Sequence, residues 1–245
     1  MLKSLDALDE GFRGIVKKSK EECGGELEEI RQLVFIVGIF YRSLAESLSL
    51  SEEYRVRIQS SLALMCFAEL SRISGHILFL SFNGLYRNAF DNIRYALELI
   101  VQALYIDHRH PEAPLKTKIE VLKEVEDKRE YHVVRLIDEL KIDHKDMLKK
   151  QYKELSQVIH PSHKQIVTTL SDLMEDKGVP ATVDCKEISK IYNSMIKMYD
   201  IFFFLFITHF PEIKITLKKN SNFIKLIKDY NLILLSKIFK VQLGK

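Results

Sequence analysis

The chain has 245 residues, 47% of them hydrophobic and 29% charged, with 37 Lys plus Arg against 34 Asp plus Glu for a net charge of +3. That apolar share is enough for a large core and excludes a disordered or collagen-like chain. Only 9 Gly and 5 Pro argue against an all-β sandwich or barrel, whose many short strands need frequent turns.

Taken in chain order, the first apolar stripe is Leu2, Leu5, Leu8, Phe12, Ile15 and Val16, in helical steps of three and four. It breaks near Gly24-Gly25, and a second helix starts about Glu26 and carries Leu33, Ile36, Val37, Phe40, Tyr41 and Leu44. Ser49-Leu50-Ser51-Glu52 resembles a capping box, opening a helix through Ile58, Leu62, Met65, Leu70, Ile73, Ile77 and Leu80 that ends at Asn83-Gly84. The most apolar helix, 85–107, closes before Pro111 and Pro114. Residues 115–140 keep one stripe in a highly charged context, as one long helix or two broken near Asp127. Leu148, Tyr152, Leu155 and Ile159 mark a helix stopped at His160-Pro161, and Ile166, Leu170 and Leu173 mark a short one. Asp184-Cys185-Lys186-Glu187 is a helix start leading into Ile188, Ile191, Met195, Met198, Phe202, Leu205 and Phe206, and the helix stops at Pro211. Ser221 caps the last helix, through Phe223, Ile224, Ile227, Leu232, Leu235 and Ile238.

No strand pattern competes with these signals. The expected fold is all-α: a multi-helix bundle with long antiparallel helices over 1–211 and an appended, basic C-terminal helical extension over 212–245. The three cysteines, Cys23, Cys66 and Cys185, contain no C-x-x-C pair. A disulfide framework and a zinc ribbon are therefore not expected, Cys66 and Cys185 read as inert core thiols, and the natural setting is a reducing, cytoplasmic one. The N-terminus alternates Lys3, Asp6, Asp9 and Glu10 with apolar residues, unlike a secretory signal. The longest apolar runs, 33–41 and 201–207, fall short of the roughly 20 residues that cross a bilayer, so no membrane insertion is expected.

Two polar rows stand out against this apolar background. On 85–107, Arg87, Asp91, Arg94, Glu98, Gln102 and Tyr105 recur at steps of four, three, four, four and three, and so lie along one face. Burying charge on such a helix demands partners, and Arg87–Asp91 and Arg94–Glu98 are i,i+4 pairs. The row is either an ion-pair ladder on a solvated face or one wall of a polar groove. Tyr152, Ser156 and His160 form the second row, each four residues apart. His160 has a sufficient structural role at a helix C-terminus, where the dipole favours an imidazolium. If the two rows meet, they assemble an imidazole, a phenol, a guanidinium and a carboxylate, a set that binds phosphate or moves a proton with His160 as base and Arg94 as anchor.

The stretch GLYRNAFDNIRYALELIVQALYID, followed some fifty residues later by YKELSQVIHPS, resembles an uncharacterised all-helical family that pairs an Arg- and Glu-bearing helix with a Tyr-x-x-Leu-Ser-x-x-x-His segment. That group looks related to the HEPN superfamily, many of whose members are ribonucleases in toxin–antitoxin and antiviral systems. The resemblance covers 84–164 and implies a HEPN-like core over about 52–210, with Arg87, Arg94, Glu98, Tyr152, Ser156 and His160 as site residues. It also implies RNA or a nucleotide as ligand and a defence or stress setting. The nuclease members place a His after an Arg with four to six residues between the two. This chain departs from that pattern: Arg72 and His76 have three intervening residues, and no Arg stands at that distance before His160.

Two weaker signals complete the reading. Asp107-His108-Arg109-His110 and His160-Pro161-Ser162-His163 carry ligand-type residues, but short His pairs arise by chance and neither a metal nor a cofactor is expected. From Ile213 onward eight Lys face Asp229 alone, a net of +7 that leaves −4 for the rest; this reads as solvated surface more readily than as a contact for nucleic acid or membrane. No Walker loop, GxGxxG, HExxH or GxSxG is present. Three functions remain: a nucleic-acid or nucleotide-binding module, a metal-independent ribonuclease, and a helical scaffold whose apolar run 201–207 is covered by self-association into a homo-oligomer.

Overall fold

The computed structural model describes residues 2–47, 52, 58–127, 133–140, 142–159 and 183–243. The described residues form ten helices and no strand, an all-α bundle. In chain order they are α1 (Leu2–Ser47), α2 (Leu62–Phe82), α3 (Tyr86–Arg109), α4 (Leu115–Asp127), α5 (Val133–Glu139), α6 (Lys145–Ile159), α7 (Cys185–His209), α8 (Ile213–Lys219), α9 (Ser221–Asp229) and α10 (Ile233–Phe239).

The break expected at Gly24-Gly25 is a kink inside α1, where Cys23 leaves helical geometry at φ −125° and ψ 28°. The apolar stripe from Glu52 is interrupted at Ser60-Ser61: Glu52, Ile58 and Gln59 are helical before it, and α2 starts at Leu62. Ser61, extended at φ −90° and ψ 132°, is its N-cap, and its hydroxyl accepts from the Leu64 N–H at 3.4 Å. The Ser49–Glu52 box falls largely outside the described residues. α2 ends where the sequence indicates: Gly84 takes the left-handed conformation at φ 69°, and the Leu85 N–H returns to the Leu80 carbonyl at 2.9 Å. The turn folds α3 back antiparallel to α2. The charged stretch after Pro114 is two helices, the first ending at Asp127. The short helix expected around Ile166–Leu173 lies outside the described residues.

α7 is the central helix. Asp184 caps it as expected, accepting from the Lys186 and Glu187 N–H groups. All seven residues from Ile201 to Ile207 are buried, so this stretch has no solvent face. Phe203 stacks on Phe40 of α1 with ring centroids 4.4 Å apart, and Phe206 packs against Phe67 of α2 at 5.3 Å. The run 201–207 therefore finds its cover within its own chain, not in a second copy. α2 and α7 are both long and apolar enough to cross a membrane by length and composition alone, but 72% of the apolar window of α7 is buried inside the protein.

Cys23 and Cys185 form a disulfide across 162 positions of sequence. This overturns the reading of Cys185 as an inert thiol and of the cysteines as unpaired. The kink of α1 and the capped first turn of α7 bring the two together, a coincidence that sequence spacing does not encode. Cys66 is buried outside this bond, its thiol donating to the Leu99 carbonyl at 3.8 Å.

The C-terminal region is three short helices in place of one. Asn220, not Ser221, caps α9, and Asn231 at φ 51° turns the chain into α10. These helices bury Ile213, Leu217, Phe223, Ile227, Leu234 and Leu235 in the same core as α1 and α7. α10 has no capping side chain of its own. Asp200, buried on α7, accepts from the Leu234 and Leu235 N–H groups at 2.8 and 3.0 Å. Asp200→Ala strands both donors, and about 2 kcal/mol of stability is expected to go with them. A urea denaturation curve with an unmoved midpoint would contradict this role.

Candidate functional site

α3 turns its polar row gradually into the protein. Arg87 and Asp91 are exposed near its start, with no ion pair between them among the described residues; Arg94, Glu98 and Gln102 are half-buried, and Tyr105 is buried. The Arg94 Nε–H donates to Glu98 Oε1 at 2.6 Å, while about a third of each side chain stays open to solvent (34% and 28%). α6 packs against this part of α3. Its Tyr152 is buried, and the Tyr152 hydroxyl donates to the same Glu98 oxygen at 3.1 Å. Arg94 and Ser156, one turn along α6, are close enough to that hydroxyl to act on its charge. Four of the six residues singled out in the sequence, Arg94, Glu98, Tyr152 and Ser156, thus form one cluster at the α3/α6 seam. Arg87 stands two turns away on the exposed end of the row, and His160 lies outside the described residues.

The electrostatics fix the protonation states the cluster works with. Its hydrogen bond to Glu98 raises the Arg94 guanidinium above its ordinary value, so its charge is permanent. Burial raises the Tyr152 phenol, and the negative charge of Glu98 adds to the effect. Tyr152 therefore remains a protonated donor at neutral pH. Chemically, the cluster is a part-exposed planar cation held by a carboxylate and a phenol at the α3/α6 seam, a group suited to a phosphate or carboxylate.

A second polar cluster escaped the sequence reading. Asp107, at the end of α3, is fully buried and spans four elements. Its Oδ2 accepts from the Ser61 hydroxyl at 2.5 Å and the Ala63 N–H at 3.1 Å; its Oδ1 accepts from the Leu62 N–H at 3.1 Å and the Lys118 ammonium at 3.0 Å. His209 Nε2, at the end of α7, stands 3.9 Å away. Lys118, from α4, is equally buried and spends its other donors on the Ser60 and Pro111 carbonyls at 2.9 and 3.4 Å. Sequence reading placed Asp107 among candidate metal ligands; in the fold it is a helix cap and the partner of a buried cation. Among the described residues, no three His, Cys, Asp or Glu side chains are grouped to hold a metal. The only sequence signal for this cluster was a carboxylate at the apolar end of α3.

The C-terminal lysines 214, 218, 219, 225, 228, 237 and 240 are exposed on α8–α10. Comparisons with protein-family models, with curated proteins and with solved structures find no match to this chain.

Proposed function

We propose that this chain is a HEPN-like helical binding module that takes RNA or a nucleotide at the α3/α6 seam, with Arg94 as the principal phosphate contact. The carrying observation is the Arg94–Glu98–Tyr152 cluster: a guanidinium held in place by its neighbours while a third of its side chain stays accessible. Pre-ordering a fork of this kind lowers the entropy lost on binding an oxyanion. Arg87 extends the same row toward solvent and supplies a second positive charge for a neighbouring phosphate. Ser156 supplies a hydroxyl. Cytoplasmic residence is part of this reading.

Fluorescence anisotropy with a labelled single-stranded RNA tests the proposal. Wild-type affinity is expected to fall as salt rises, because released counterions drive phosphate binding. Arg94→Ala is expected to weaken binding about tenfold or more while leaving the fold intact, since a part-exposed ion pair contributes about 1 kcal/mol or less to stability. Equal affinity of Arg94→Ala and wild type, or no binding by the wild type, removes the proposal. Cleavage of the RNA that is lost in His160→Ala would replace it with the ribonuclease reading.

A further inference from the structure

Lysine is used in two different ways in this fold. On α1 and α7 its ammonium groups are answered by carboxylates, as in Lys17–Glu21, Lys18–Glu22, Lys190–Glu187 and Lys197–Glu154. From 213 to 240 seven lysines are exposed against a single carboxylate, Asp229, and among the described residues none of the seven is in an ion pair. The short helices there turn their apolar stripes inward: Ile213 and Leu217 of α8, and Leu235 and Phe239 of α10, are buried. Opposite those stripes, helical spacing puts Ile215 among Lys214, Lys218 and Lys219, and Ile233 beside Lys237 and Lys240. Ile215 is 58% and Ile233 44% exposed, so each outer face has an aliphatic centre inside a cationic rim. Lys225 and Lys228 continue the rim on α9, which packs against both α8 and α10.

We infer that the outer face of α8, α9 and α10 is a docking surface for an anionic phospholipid bilayer, with the lysines on the headgroups and Ile215 and Ile233 sunk to the first acyl carbons. Charge gives the first argument. The positive surplus is uncompensated, and a leaflet holding anionic lipid is a complementary sheet of negative charge. The kinds of side chain give the second, because different anionic partners call for different sets. A protein interface is depleted in Lys and uses aromatic and Arg anchors. A nucleic-acid strand is held by Arg forks and by rings on which bases stack. Residues 213–245 contain no Arg. Of their three aromatic rings Phe223 and Phe239 are buried and Tyr230 is half-buried. What faces outward is a branched aliphatic side chain ringed by flexible ammonium groups, the combination that an interfacial helix brings to a bilayer. Long lysine stems keep their charges level with the phosphates while the isoleucines go deeper. Nothing crosses the bilayer in this arrangement, since the inner stripes are committed to the core shared with α1 and α7. The α3/α6 seam lies on other helices, so the inference stands whether or not Arg94 binds a phosphate.

Flotation of the full chain with unilamellar vesicles reads the result. With vesicles of about one-third phosphatidylserine in phosphatidylcholine the wild type is expected to float, and to be released as salt screens the charges. With phosphatidylcholine alone it is expected to stay in solution. Ile215→Gln with Ile233→Gln leaves the charge unchanged and is expected to weaken partitioning at least about tenfold. Lys218→Glu with Lys237→Glu is expected to weaken it at least as much by reversing charge. All four positions are exposed, so helicity and melting temperature should match wild type in both variants. A wild type that ignores phosphatidylserine, or binds both lipids alike, overturns the inference. Full retention of binding by the isoleucine variant also overturns it, by reducing the contact to charge alone. So does full retention by the lysine variant. Polyuridylate binding that survives Arg94→Ala and is lost in the lysine variant, with no flotation of the wild type, would make nucleic acid the occupant instead.

Discussion

Asp107→Asn is expected to cost about 3–5 kcal/mol, a large part of the stability of a domain of this size. The substitution keeps one acceptor oxygen at the start of α2, sets an amide NH2 against the other of the Leu62 and Ala63 N–H groups, and removes the charge that neutralises Lys118. With 3% of its side chain exposed, that ammonium cannot recover the lost interaction from water. Lys118→Met leaves the carboxylate with the Ser61 hydroxyl and two backbone donors and is expected to cost less. The double variant Asp107→Asn with Lys118→Met should recover most of the loss of the first, since removing both charges leaves neither stranded. Chemical denaturation of the four proteins forms a complete cycle. Additive effects would show that the two charges do not couple across α3 and α4.

The second large effect belongs to the Cys23–Cys185 bond. Closing so long a loop limits the unfolded chain, and the entropic treatment puts the contribution at about 5 kcal/mol, an upper figure because unfolded chains retain structure. Reduction, or the double substitution Cys23→Ser with Cys185→Ser, is expected to lower the urea midpoint strongly. Denatured protein should titrate one thiol before reduction, that of Cys66, and three afterwards. Identical midpoints in the oxidised and reduced states would contradict the assignment.

What the sequence disclosed, and what it withheld, divides by range. Apolar steps of three and four are local, and they locate α3, α6 and α7 to within a few residues. The Asp184 cap and the Arg94–Glu98 pair are equally local, lying within one helical turn. The meeting of Tyr152 with Glu98 could be posed from two rows on two helices, although only packing brings a phenol 54 positions away within 3.1 Å. The break at Ser60-Ser61 before α2 was not legible because the cap that stabilises it, Asp107, comes from the far end of another helix. The split of the C-terminal region into α8, α9 and α10 depends on Asn220 and on the left-handed Asn231, neither of which interrupts an apolar stripe. Asp200 was the most legible of the missed residues: a lone carboxylate amid Tyr199, Ile201, Phe202 and Phe203 must have buried donors to answer it.

The link between positions 23 and 185 has a topological corollary for any nicked sample. A single backbone scission between 24 and 184 leaves two pieces still joined by sulfur, so they migrate together in electrophoresis until thiol is added; a scission nearer either end sheds a fragment at once. Arg87, Arg94, Glu98, Tyr152, Ser156 and His160 all fall inside that closed ring. The two walls of the seam therefore remain tethered after such an internal cut, for as long as the medium stays oxidising.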